Sequence, residues 1–250
     1  MIGVMMKPTS EAYDELQIAY DHFNEHLFNN ALPQCLITLQ REKRTYGYFS
    51  PERFVHSKGK RTDEIAMNPA YFSVCPPVEI MQTLVHEMVH LWQHHFGKTG
   101  RRGYHNKEWA NKMESIGLMP SSTGKEGGAK TGDRMADYVI EGGRFISVYE
   151  KLMNNDFSIS WMDRFPAQDK IFQIFEEAKD PQEFIEACES KGIDTQNIKV
   201  TDDGKITFLT QNKSNRIKYS CPTCEVNVWG KPELTILCGE CHEPFISNKS

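Results

Sequence analysis

Between Pro77 and Gly97 the chain contains neither proline nor glycine, while Ile80, Leu84, Val85, Met88, Leu91 and Trp92 recur every three to four residues. That period belongs to an amphipathic helix, and Pro76-Pro77 suits its start and not its interior. Inside it lie His86-Glu87-Met88-Val89-His90, an HExxH sequence. Two histidines four apart project from one helix face, one turn from each other, so both imidazoles can hold a single Zn²⁺. Glu87 reaches the same place and can take a proton from water activated there, the core of a metallopeptidase site. The same residues also suit a buried helix whose histidines only hydrogen-bond, so a third ligand has to be found.

Zinc hydrolases use three protein ligands and leave the fourth position open. His94 continues the i+4 stripe but lies about 12 Å along the axis from His86 at about 1.5 Å per residue, too far for one tetrahedral ion. His95 points to another face, and both read as surface or supporting groups. Gly97, Gly100 and Gly103 let the chain turn back, and Asn106 to Ser115 again reads as helical. His105 is therefore the best third ligand, in an HExxH-x14-H pattern. Gln93 and Phe96 stand where the HExxHxxGxxH pattern needs Gly and His, which disfavours the metzincins.

The HEMVH helix, the glycine-containing return and Gly103-Tyr104-His105 followed by Trp109 resemble the SprT-like (Spartan-type) zinc metalloproteases. Phe23-Asn24, Leu27-Phe28 and Leu32-Pro33 are similar to that family's opening helix. Tyr46-Gly47-Tyr48-Phe49 and Ile65-Ala66-Met67-Asn68 look like its strands before the metal helix, and Cys221 to Cys241 resembles the zinc ribbon many members carry. The resemblance spans about residues 10–120 and 215–246. It implies an α+β fold: a minimal zincin-like domain of helices and a small sheet, an inserted α/β segment, and a C-terminal ribbon. The expected boundaries are 8–120, 121–212 and 213–250. It also implies a catalytic metal on His86, His90 and His105, Glu87 as the base, and a link to DNA, because relatives cleave DNA-bound or DNA-crosslinked proteins. The stretch from 121 to 215 departs from the short family pattern.

Cys221, Cys224, Cys238 and Cys241 form C-x2-C-x13-C-x2-C. Two such knuckles supply four thiolates to one Zn²⁺, which leaves no open position and makes the site structural. His242 is a possible competitor. Paired CxxC spacing points to metal and a reducing compartment and not to disulfides, so Cys35, Cys75 and Cys188 read as ordinary thiols. With no apolar run near 18 residues and no basic-then-apolar leader, the expected location is cytoplasmic.

A net charge of −5 gives the whole chain no general attraction to nucleic acid. Charge is nonetheless uneven. Arg41, Lys43, Arg44, Lys58, Lys60 and Arg61 interleave with Tyr46, Tyr48, Phe49 and Phe54, either as a phosphate-contacting, base-stacking surface or as a solvated hairpin with inward aromatics. Glu176, Glu177, Asp180, Glu183, Glu186 and Glu189 read as a solvated helix face.

Along the chain, Ser10 to Asn29 reads as a helix capped by Ser10, and Cys35–Leu39, Tyr46–Phe49 and Glu64–Asn68 as short strands. Pro120 to Asp133 reads as a loop. Its GKEGGAKT departs from a phosphate-binding loop at Ala129 and lacks a preceding apolar strand, so a flap beside the active site is the better reading. Phe145–Tyr149 and Phe157–Met162 read as strands, Ile171–Ser190 as a helix broken near Asp180-Pro181, and Val200–Thr210 as a hairpin turning at Asp203-Gly204. The expected activity is peptide-bond hydrolysis on extended protein segments, with Tyr104 or Arg102 as oxyanion donor. The alternatives are a nucleic-acid-binding ribbon protein with little or no protease activity, and a zinc hydrolase of another substrate. Lys213, Arg216, Lys218 and Lys231 make nucleic-acid contact by the ribbon conceivable.

Overall fold

Proline punctuation explains where the helices of this α+β protein begin. In the computed structural model, which describes residues 7–190, 193, 195, 198–201, 206–208 and 216–248, helix α1 spans Pro8–Phe28. Pro8 occupies its first turn, so the helix starts before Ser10 and Ser10 is not its cap. Asn29 ends it in the left-handed conformation at φ 57°. Helix α2, Pro77–Phe96, carries the HExxH residues and likewise opens on a proline.

A three-stranded sheet in the order β1-β3-β2 packs on α2. Strand β1 (Leu36–Leu39) runs parallel to β3 (Arg61–Met67), and β2 (Gly47–Val55) runs antiparallel to β3. The sequence suggests a strand only to Phe49, because Pro51-Glu52-Arg53 interrupts the pattern. The chain continues through a bulge between Ser50 and Phe54, with Glu52 at φ 47°. The Asp63 carboxylate accepts the Glu52 N–H at 2.7 Å, and this bond holds the bulge. The basic stretch is thus a long hairpin. Gly47 is needed for close approach to α2: a Cβ there would stand 2.8 Å from Ala66 O and 2.9 Å from Thr83 Cγ2.

The core lies between the sheet, α1 and α2. Met81, Leu84, Val85, Met88, Val89 and Leu91 of α2 are fully buried, each side chain worth roughly 1.5–3 kcal/mol against exposure. Helix α3 (Lys107–Ile116) is capped by Asn106, whose side chain accepts the Trp109 N–H at 3.0 Å. Gly117 ends it at φ 96°, and a Cβ there would meet the Arg144 and Phe145 nitrogens at 2.7 Å, so the position excludes other residues twice over.

Strands β4 (Leu118–Ser121) and β5 (Ala136–Val139) form a hairpin around the Gly/Ser/Lys-rich loop, so that loop is no strand-to-helix phosphate cradle. Phe145–Tyr149, expected as a strand, lies within helix α4 (Arg144–Met153): Phe145, Val148 and Leu152 form a buried helical stripe, and Phe145 stacks on Phe23 of α1 at 5.8 Å. Phe157–Met162, also expected as a strand, has no regular structure. Helices α5 (Gln168–Glu177) and α6 (Pro181–Ser190) flank the expected break, and their acidic residues are exposed.

The chain divides into two compact units, residues 1–195 and 196–250. Of the stretch 121–212, which the sequence sets apart as an insertion, residues 121–195 fall in the first unit and 196–212 in the second; β5 pairs with β4 immediately after α3, and α4 packs on α1. In the second unit, β6 (Ile198–Val200) pairs with β7 (Ile206–Phe208). The Asp203-Gly204 turn and Lys213 lie outside the described residues. Strands β8 (Ile217–Ser220), β9 (Asn227–Gly230) and β10 (Ile246–Asn248) form a sheet in the order β10-β8-β9. Among the described residues no helix is long and apolar enough to cross a membrane.

Candidate metal centres

His86 and His90 leave α2 on one face, and the glycine-containing return carries His105 back to them. The ligand-capable atoms of the three imidazoles lie within 4.8 Å of one another, and the Nε2 atoms of His90 and His105 are 3.1 Å apart. One tetrahedral zinc with bonds of about 2.05 Å would separate two such nitrogens by about 3.3 Å. Trp109 of α3, fully buried, floors the cluster, its ring centre 4.9, 5.4 and 4.4 Å from the rings of His86, His90 and His105.

Two of the rings are oriented from the hairpin beyond residue 120. Asp137 on β5 places Oδ2 2.8 Å from His86 Nδ1, and the Gly132 carbonyl lies 3.1 Å from His105 Nδ1. A proton on each Nδ1 satisfies both acceptors and turns the Nε2 lone pairs inward, the arrangement of metal-ligating histidines. Gly132 also exchanges main-chain hydrogen bonds with His105 at 2.8 and 3.1 Å. Asp137 and Gly132 escape a sequence reading because neither lies at a ligand spacing from the helix.

Electrostatics favour the neutral form at two of the three imidazoles, His90 and His105. Burial, then the charges of His86 and His105, hold His90 well below its ordinary value, and burial with the charge of His86 pushes His105 down to about 4. Burial acts the same way on His86, but the Asp137 hydrogen bond with the charges of Glu87 and Asp137 outweighs it and raises that group. Glu87 is 6 % exposed; burial raises its carboxyl, opposed by the charge of His86. Two buried polar atoms beside the imidazoles, Asp137 Oδ1 and Trp109 Nε1, have no hydrogen-bond partner. Inward-facing imidazoles backed by an unpaired carboxylate oxygen fit a divalent cation.

The cluster opens into a cleft of about 1690 Å³. It is lined by Gly47 to Pro51 of β2, the edge strand, by the return loop and by the β4–β5 hairpin. Tyr104 and Arg102, the expected oxyanion donors, both line it. The six basic candidates do not form one patch. Lys43 and Arg44 line the cleft, and Arg41 pairs with Asp163. Lys58 and Lys60 lie in the turn at the far end of β2, roughly 25 Å away along an extended strand, and Arg61 beside them pairs with Glu52 at 3.0 Å. Tyr46 is engaged in a stack on Tyr71 at 4.0 Å, and Tyr48, Phe49 and Phe54 are half-buried.

The four ribbon cysteines converge in the second unit, their sulfurs within 4.8 Å of one another and Cys224 Sγ 3.6 Å from Cys238 Sγ. Tetrahedral zinc–thiolate bonds of about 2.3 Å imply about 3.8 Å. The two knuckles are built alike. The Glu225 N–H donates to Cys221 O at 3.0 Å and the His242 N–H to Cys238 O at 2.9 Å, with Glu225 and His242 both left-handed at φ 58° and 55°. His242 is thus used as a turn residue. The N–H groups of Cys241 and Glu240 pull the Cys238 thiol down to about 7. All seven cysteines are free, and burial pushes Cys35 and Cys75 up to about 12.

Comparison with known proteins follows the first centre. The SprT-like family matches residues 16–126. An uncharacterized protein in the mucB 3' region of Salmonella typhimurium is 70% identical over 59 residues, 23% of this chain and 80% of that protein. No solved structure matches.

Proposed function

The chain belongs to the SprT-like family, and we propose that it is a zinc-dependent endopeptidase acting on extended segments of DNA-associated or DNA-crosslinked proteins. One observation carries the reading: three inward-facing imidazoles and a buried carboxylate at the floor of an open cleft. His86, His90 and His105 would hold Zn²⁺, which when bound polarises a scissile carbonyl and acidifies water.

Glu87 then performs the proton work. Burial raises its basicity while leaving it within reach of the imidazoles, so it takes a proton from the attacking water and delivers it to the leaving amine. Asp137 and Gly132 hold two imidazoles in the ligating tautomer. Tyr104 or Arg102 steadies the oxyanion from the cleft wall. We place the functional boundary of the catalytic module beyond Asp137 and assign a structural zinc to Cys221, Cys224, Cys238 and Cys241.

Substrate choice follows from the position of β2 at the edge of its sheet, where the Phe49 N–H already reaches the Glu87 carboxylate. An extended peptide can add to that edge through main-chain hydrogen bonds, which demands unfolded backbone and little sequence. Lys43, Arg44, Arg102, Lys125 and Arg134 along the cleft supply the positive charge that a nearby nucleic acid would meet.

The test is cleavage of a protein crosslinked to DNA, compared with the free protein in folded and unfolded forms. The expected result is cutting of unfolded segments, faster with DNA, and slower by orders of magnitude in Glu87→Gln at unchanged zinc content. DNA binding without cleavage would instead favour a nucleic-acid-binding ribbon protein.

A further inference from the structure

A second ligand-type cluster lies where α2 ends. His94 and His95 occupy its last turn, and Asp63 comes from the central strand β3. Their ligand-capable atoms all lie within 4.8 Å of one another. The ring centres of His94 and His95 stand only 4.9 Å apart, with the ring planes at 82°, although neighbouring side chains leave a helix about 100° apart. His95 Nε2 is 2.7 Å from Asp63 Oδ2.

Asp63 makes this more than a surface ion pair. Its side chain is 7 % exposed, and its other oxygen is fixed by the Glu52 N–H at the β2 bulge. One carboxylate oxygen is therefore immobilised by the fold and the other faces two imidazoles. The C-terminal end of α2 adds the partial negative charge of its unpaired carbonyls, which favours a cation there. Two nitrogens and one oxygen suit a late first-row divalent metal, with water completing the shell. Bonds of about 2.1 Å would separate two ligand atoms by about 3.4 Å, so the His95–Asp63 contact has to open by about 0.7 Å on metal entry. The His95 side chain, 35 % exposed, has room to do so.

We propose that Asp63, His94 and His95 form a further metal site that takes Zn²⁺, separate from the His86 cluster and from the cysteines. It ties the last turn of α2 to β3 and, through Asp63, to the bulge of β2. With three protein ligands, two of them exposed, it holds zinc more weakly than a buried or four-thiolate site and exchanges it with solution.

Equilibrium dialysis of the full chain against buffered free Zn²⁺, with metal counted by mass spectrometry, tests this. The wild type should bind one more zinc at saturation than His95→Ala and than His94→Ala, with circular dichroism showing both variants folded. Raising free zinc should lift the melting temperature of the wild type further than that of His95→Ala, in which only the other two centres respond to zinc. Equal zinc counts in the wild type and either variant would overturn the proposal, as would equal melting shifts in the wild type and His95→Ala.

Discussion

The two centres of this protein bring their ligands together by opposite means. The cysteine cluster is assembled by two short knuckles whose own N–H groups fix the geometry: Glu225 and His242 repeat the same left-handed turn after Cys221 and Cys238. The histidine cluster takes two ligands from one helix, a third from a return loop, and its orienting carboxylate from Asp137, 51 residues from His86. Four thiolates close the first site against further ligands. Three imidazoles over a cleft leave the second open, with a buried carboxylate beside it. A closed site built locally suits the structural role proposed for the cysteines, and an open site built from distant segments suits the chemistry proposed for the imidazoles.

Breaking the ribbon should have the largest energetic effect. Cys224→Ser removes one of four thiolates from the proposed structural zinc site, whose metal would supply most of the folding energy of its segment, on the order of 10 kcal/mol for small zinc domains. Loss of ordered structure should be confined to residues 216–248, measured by hydrogen exchange, while the first unit keeps its protection. Glu87→Gln should be next, with cleavage down about 10²–10⁴-fold at unchanged zinc content. Asp137→Asn should follow: it keeps the shape but weakens the ligand's partner, so zinc affinity at the histidine centre should fall about 10–100-fold while ribbon zinc is unchanged, read by competition with a chelator.

The legibility of the sequence divides along the same line. The α2 helix, its HExxH pair, the return to His105 and the CxxC knuckles are all local or short-range patterns, and the structure brings those residues together. Asp137 was not legible, because a single aspartate in a short strand carries no periodic signal and its partner is far away in the chain. The strand expected at Phe145–Tyr149 is a helix because contact with Phe23 on α1 decides, and that contact is invisible to local propensity. The full length of β2 was hidden by Pro51, since only tertiary support from Asp63 makes the bulge tolerable.

The smallest expected effect is a pH dependence that separates the centres. His105 has a folded value near 4 against about 6.5 unfolded. The unfolded chain therefore binds more protons between those values, so its contribution to stability is complete above about 6.5 and is lost as pH falls towards 4. His90 acts in the same direction and His86 opposes it. The metal-free first unit should lose stability across this window in denaturant titrations, and His105→Ala should flatten the slope.

Anomalous diffraction at the zinc edge from crystals of the full chain tests the central claim most directly. The account predicts a peak about 2.1 Å from the Nε2 atoms of His86, His90 and His105 together, with solvent at the fourth position and Glu87 beside it. A peak that leaves His105 outside bonding distance, or a fourth position filled by a side chain of the protein, would contradict it.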